Sequence, residues 1–174
     1  SSTATGWGDI TGTQNYSATV DFTISNTTTL GEHPRTVYAW YKDSAGNVSS
    51  AASDSITLVV TDTTSPNSPS IVINNDNSST TNTVVTLAIS ASDNYGVSAY
   101  FVSEFIIAAP SSSFLGWTTV TSSTNFSSTI SFTLTGASSA GSYSRTVYAW
   151  FKDDAGNISS SASDEITLII NDTT

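Results

Sequence analysis

The chain contains no cysteine and no methionine, and only four basic residues against 14 acidic ones in 174 positions. Without cysteine there is no disulfide framework and no thiolate zinc site. A net charge of −10 disfavours nucleic acid and anionic membrane as partners and leaves cations, or nothing, as the electrostatic partner. No apolar run approaches the ~20 residues that span a bilayer. Nor is there a charged-then-apolar leader at the N-terminus, so any export signal or anchor is expected outside this segment. Histidine occurs once, at His33, which leaves little for a charge-relay system.

What is present repeats. Arg35-Thr-Val-Tyr-Ala-Trp-Tyr-Lys-Asp-Ser-Ala-Gly-Asn-Val-Ser-Ser50 returns as Arg145-Thr-Val-Tyr-Ala-Trp-Phe-Lys-Asp-Asp-Ala-Gly-Asn-Ile-Ser-Ser160. The offset, 150 − 40 = 110 for Trp40 and Trp150, also pairs Trp7 with Trp117, Phe22 with Phe132, and Asp62-Thr-Thr64 with Asp172-Thr-Thr174. Residues 1–64 therefore read as the later part of one module and 65–174 as a complete one. A module of that size can bury its own core, and a fixed period points to an array of packed units. Ser and Thr supply about a third of the chain, far above ordinary usage, so hydroxyls rather than charges wet its surface.

Short apolar runs alternate with turn residues and no useful helical period appears, so the fold class is all-β. In the complete module, strands are expected over Ser70–Asn75, Thr83–Ala91, Val97–Ile107, Trp117–Thr121 and Asn125–Thr135. Thr146–Asp153 and Ile158–Ile170 then form a hairpin around Asp154-Ala-Gly-Asn157. Val85, Leu87 and Ile89 share one face, as do Phe126, Ile130, Phe132 and Leu134. Ser92–Gly96 reads as a turn, with Asp93 and Asn94 able to bond nearby backbone amides and Gly96 free to take positive φ, and Ala108–Gly116 reads as a loop. Seven strands in about a hundred residues is the count of an immunoglobulin-type sandwich.

In the hairpins, Gly46-Asn47 and Gly156-Asn157 are residue types that tolerate left-handed backbone. Asp43 and Asp153 are placed to accept amide hydrogens from the turns they precede. On the strand leading in, Val37, Ala39 and Tyr41 are expected to face the core. Tyr38, Trp40 and Lys42 then form an exposed or half-exposed stripe, repeated at Tyr148, Trp150 and Lys152. Such a stripe is either cross-strand packing, with the lysine stem over rings, or a platform for sugar or partner stacking.

The Val-Tyr-Ala-Trp-x-Lys-Asp-x-Ala-Gly-Asn-x-Ser hairpin, the Ser-Ala-Ser-Asp-x-Ile-Thr-Leu strand after it and the Asp62-Thr-Thr-Ser-Pro66 joint resemble the tandem Ig-like repeats of large bacterial surface proteins. Ser92-Asp-Asn-Tyr-Gly-Val97 is similar to the turn before their third strand. The resemblance covers the whole complete module. It implies tandem immunoglobulin-like β-sandwiches related to fibronectin type III folds, serving as spacer or adhesive modules in extracellular arrays on a prokaryotic surface or filament. It carries no catalytic residues to transfer. The implied partners are adjacent repeats, other copies in a filament, and a glycan or host surface.

Candidate chemistry is sparse. Glu32, Glu104 and Glu165 lie on separate elements, without the facing carboxylates a glycosidase needs. No Asp-x-Asp-x-Asp cluster appears, and the chain is expected to carry no cofactor; the alternative is calcium, which takes several oxygens at one spot, with the loop and joint acids Asp62, Asp93, Asp153 and Asp154 as candidate ligands. Asn-x-Ser/Thr triplets begin at Asn15, Asn26, Asn47, Asn77, Asn125, Asn157 and Asn171, with Asn47 and Asn157 held in tight turns. Residues 1–64 lack the counterparts of three strands, which would leave Val20, Phe22, Ile24 and Val37 against water. Those strands are expected from a preceding stretch of a longer array or from another copy.

Overall fold

The computed structural model describes residues 6–105 and 109–172. They divide into two units, Ser1–Thr61 and Asp62–Thr174. The division falls ahead of the expected break after Thr64 because Asp62 is tied into the second unit. Its Oδ1 accepts the Thr64 N–H at 3.0 Å and the Asn94 side-chain amide at 3.3 Å.

The described residues of the first unit contain one antiparallel pair, β1 (Gly31–Ala39) and β2 (Ala52–Val60). The described residues of the second contain six strands. These are β3 (Asn67–Ile73), β4 (Ser79–Thr80), β5 (Val84–Ser103), β6 (Thr118–Thr133), β7 (Gly141–Asp153) and β8 (Ala162–Ile170). Their order is β3-β5-β7-β8-β4, with β6 also paired to β5. Every pairing is antiparallel except the two-residue β4 against β8. The only helical element described is a 3-10 turn, Asn74–Asp76. No helix among the described residues is long and apolar enough to cross a membrane.

The strand count differs from seven for a physical reason. The expected strands at 83–91 and 97–107 are one strand, β5, and those at 117–121 and 125–135 are one strand, β6. The Ser92–Gly96 turn is a bulge within β5, where Asp93–Gly96 stand opposite the single residue Thr124. Asp93 Oδ1 accepts the Tyr95 and Gly96 N–H groups at 2.9 and 2.8 Å, supplying the amides with the partners that the ladder lacks. Gly96 there has φ 131°, and a Cβ on it would stand 2.3 Å from Ser122 Oγ. Pairing therefore resumes past the bulge, and one strand serves both halves of the fold. Ile106, Ile107 and Ala108, the end of the expected third strand and the start of the loop, lie outside the described residues.

The bulge lets the sheet fold back over one core. The first half of β5 pairs with β3 and the far part of β6, while its second half pairs with β7. Ile71, Ile73, Val85, Leu87 and Ile89 then pack with Val147, Ala149, Phe151 and Ile166. This arrangement of packed sheet layers is all-β, as expected, and the alternating rows at 85–89 and 126–134 lie on the inside. Burying each large aliphatic or aromatic side chain stabilises by about 1.5–3 kcal/mol.

The two units show what that core does for strand formation. Val20-Asp-Phe-Thr-Ile24 has the same alternation as Ile130-Ser-Phe-Thr-Leu134, yet it forms no strand in the first unit. Its counterpart β6 is a strand because β5 lies beside it. Without that neighbour, Val20 and Phe22 are 75% and 68% exposed. Pattern alone does not make a strand; a hydrogen-bonding edge does.

Candidate metal centre

The site is built on the β7–β8 hairpin. Its tip closes with Gly156 at φ 92°, a value glycine adopts freely, and with the Gly156 N–H donating to the Asp153 carbonyl at 3.4 Å. Asn157 is not left-handed. It acts through hydrogen bonds, donating its backbone N–H to Asp153 Oδ1 at 2.8 Å and its side-chain amide to Asp153 Oδ2 at 2.7 Å. The carboxylate is held by two donors in a fixed plane at the end of β7.

Two further carboxylates reach the same place from distant sequence. Asp62 comes from the segment entering the unit and Asp93 from the β5 bulge. Asp62, Asp93 and Asp153 each offer an oxygen within 4.8 Å of the others. All three residues are buried, at 8%, 4% and 1% exposure. In two of the three carboxylates the hydrogen bonding occupies one oxygen and leaves the other bare. Asp62 Oδ1 and Asp93 Oδ1 are occupied by local donors, whereas Asp62 Oδ2 and Asp93 Oδ2 are buried and have no hydrogen-bond partner.

That arrangement offers a cation carboxylate oxygens from three residues at one spot. A pair of like charges ~4 Å apart repels by about 4 kcal/mol at an effective dielectric constant of 20. No described lysine or arginine forms an ion pair with the cluster. The two bases of the unit are committed elsewhere. Arg145 donates to the Thr135 carbonyl at 2.8 Å and lies 3.7 Å from Glu104, while Lys152 donates to the Ser112 carbonyl at 3.0 Å. An all-oxygen donor set suits a hard cation such as calcium rather than zinc, which prefers nitrogen and sulfur. Asp62, Asp93 and Asp153 would hold such an ion, two of them through an oxygen that has no hydrogen-bond partner.

Of the four expected calcium ligands, the fold therefore brings Asp62, Asp93 and Asp153 together and leaves Asp154 out. Asp154 is exposed at the hairpin tip. Its repeat counterpart is Ser44, whereas Asp153 is matched by Asp43, so the repeat itself separates the two aspartates. Sequence reading missed Asn157 and Asn94 as supports. Asn157 also donates to the Asp62 and Thr64 carbonyls at 3.3 and 3.4 Å, joining the entering segment to the hairpin. The signal for it was available, since the Asp-x-x-x-Asn spacing recurs at Asp43 and Asn47.

The aromatic stripe divides between the units. Tyr38 and Trp40 stack at 5.9 Å and are about half exposed, as expected. Trp150 is not: it is 4% exposed, stacked on Phe101 at 5.9 Å and on Tyr148 at 6.1 Å. The outer face of β7 is covered by Phe101 of β5, which no residue-alternation rule could place there. Lys152 Nζ sits 5.1 Å from the Trp117 ring centre, and Lys42 sits 5.2 Å from Trp7 in the other unit.

His33 and its counterpart Tyr143 make equivalent bonds. His33 Nε2 donates to the Thr29 carbonyl at 2.8 Å, and Tyr143 Oη donates to the Ser139 carbonyl at 3.0 Å. Glu104 Oε2 accepts both the N–H and the hydroxyl of Thr135 at 2.5 and 2.6 Å. These groups have structural partners. No protein-family model, curated protein or solved structure matches this chain.

Proposed function

We propose that the chain is a non-catalytic, immunoglobulin-like repeat of an extracellular prokaryotic surface or filament protein, and that bound calcium fastens the entering segment to each complete module. The observation that carries this reading is the convergence of Asp62, Asp93 and Asp153, with Asp62 Oδ2 and Asp93 Oδ2 buried and unpartnered. Asp62 belongs to the Asp-Thr-Thr-Ser-Pro joint, so a cation there clamps the joint to the β5 bulge and the hairpin tip. Calcium then holds the joint segment against the second unit, and its removal frees that segment. The 110-residue period, the hydroxyl-rich surface and the acidic balance support the array and its location.

Calorimetric titration of the full chain tests the metal. The expected dissociation constant is on the order of 10⁻⁴–10⁻³ M, the range of extracellular calcium modules. At roughly 100 times that constant, bound ligand adds about 2.7 kcal/mol to stability, so the melting temperature of the second unit rises by roughly 10 °C. Chelator-treated protein that neither takes up calcium nor changes its melting temperature would overturn the clamp. Glycan-array binding that is lost in Trp40→Ala, with the fold intact, would replace the spacer reading with an adhesive one.

A further inference from the structure

The two units place one sequence in two environments. Their hairpins agree bond for bond. Asn47 N–H donates to Asp43 Oδ1 at 2.8 Å and its side-chain amide to Oδ2 at 2.8 Å, as Asn157 does with Asp153. Ser49 and Ser159 each donate N–H to the carbonyl across the hairpin at 2.9 Å. The pairing register is the same, Arg35 opposite Ile56 and Arg145 opposite Ile166. Burial is opposite. Ile56 is 61% exposed and Ile166 1%; Tyr41 is 54% exposed and Phe151 0%.

What covers this face is visible in the second unit. Ile71 and Ile73 of β3 and Val85, Leu87, Ile89 and Val97 of β5 lie against it. The backbone supplies a matching signal. Asp164 accepts the Glu165 N–H at Oδ1, and its Oδ2 accepts the Ile73 N–H of β3 at 2.7 Å. Asp54, its counterpart, accepts the Ser55 N–H at Oδ1 in the same way, which orients Oδ2 for a strand equivalent to β3. The β1 edge at Tyr38–Ala39 corresponds to the β7 edge that receives Ser103 and Val102 of β5.

We infer that the apolar face of the β1–β2 unit is a docking surface for a second copy of the β3–β5 segment, Asp62–Ser103, supplied by another module of the same repeat. Docked in the register of the second unit, that segment also brings its own equivalents of Asp62 and Asp93 to Asp43, closing a second cation site. This latter consequence rests on the calcium reading above; the docking does not.

The test is an extended chain in which a copy of residues 62–110 is fused directly ahead of Ser1, restoring the 110-residue period. Hydrogen exchange in chelator reads the docking. Amides of Gly31–Ala39 and Ala52–Val60 are expected to slow by at least about 100-fold, approaching those of β7 and β8. The same extension carrying Val85→Ser, Leu87→Ser and Ile89→Ser in the added copy should give no such protection. Unchanged exchange in the β1–β2 pair, with β7 and β8 still protected, would overturn the docking. So would an unextended chain that is already dimeric with β1–β2 protected. Calcium stoichiometry reads the second site, expected to rise from one to two per chain. Protection with only one calcium bound would overturn that site and leave the docking standing. Protection with none bound in either chain would overturn the calcium reading alone.

Discussion

The Asn157 side-chain nitrogen lies 2.7 Å from Asp153 Oδ2 and 3.3 Å from the Asp62 carbonyl, so one amide spans the hairpin and the segment that enters the unit. It holds one carboxylate in orientation and draws the chain that carries another toward it. Outer-shell partners of this kind tune affinity strongly: their loss typically weakens metal binding 10–100-fold. Asn157→Ala is therefore expected to raise the calcium dissociation constant by about that factor while Asp93 and its bulge stay in place. Calorimetry, with exchange at Tyr95 and Gly96 as a control for the bulge, checks both halves.

Asp93→Asn separates charge from shape. The side-chain oxygen can still accept the Tyr95 and Gly96 amides, now held at 2.9 and 2.8 Å, but one of three crowded charges is gone. Calcium affinity is expected to fall by about 100-fold, or ~2.7 kcal/mol. The chelator-treated protein should melt higher than the parent, because like-charge repulsion is relieved. Lower stability in chelator would show that the trio does not repel, and with it the need for a cation would disappear.

How much of this was legible in the sequence can be seen at Asp93. Its type and its turn-forming neighbours marked it as an amide acceptor, and Gly96 marked a backbone that goes left-handed. What could not be read was that β5 continues past the bulge, since that depends on β6 and β7 waiting on the far side. The rows at Val85–Ile89 and Phe126–Leu134 were readable because alternation reports facing directly. The burial of Trp150 was not, because the ring that covers it, Phe101, arrives from β5 by a long-range pairing. The three-carboxylate cluster was readable as a set of candidate loop acids, but choosing Asp153 over Asp154 required the hairpin geometry.

Gly96→Ala tests the bulge itself. Its φ of 131° is costly for any residue with a Cβ, and that atom would meet Ser122 Oγ at 2.3 Å and the Ser123 nitrogen at 3.1 Å. A cost of about 1–3 kcal/mol is expected, lowering the melting temperature of the second unit by at least ~4 °C. Because Asp93 is anchored through the same bulge, calcium affinity should fall with it. A variant with unchanged stability would mean that the bulge relaxes freely.

Asp43 carries the acid sensitivity of the first hairpin. The Asn47 side-chain amide, followed by the Asn47 backbone N–H, holds its carboxyl below the usual carboxylate range. A group whose pKa is depressed by folding stabilises the fold above its unfolded pKa and loses that contribution as the pH falls through the folded one. The Asn47 side-chain and backbone N–H protons should thus keep their bonded chemical shifts through mildly acid solution and lose them only at pH below the ordinary carboxylate value. Melting of these signals at near-neutral pH would contradict the assignment.

Trp40 and Trp150 occupy equivalent positions with 49% and 4% exposure, which makes them a matched pair for separating packing from chemistry. Trp150→Ala removes a ring stacked between Phe101 and Tyr148, so it should destabilise the second unit by about 3–5 kcal/mol. Trp40→Ala removes a ring with water on one side and only Tyr38 stacked on it, and should cost no more than about 1 kcal/mol. In the extended chain with the added β3–β5 copy, the Trp40→Ala cost should climb toward that of Trp150→Ala, because a second Phe101 then lies over it. Denaturant melts of the four proteins measure this difference directly. Equal costs at Trp40 in the short and extended chains would mean that the added segment never reaches the ring.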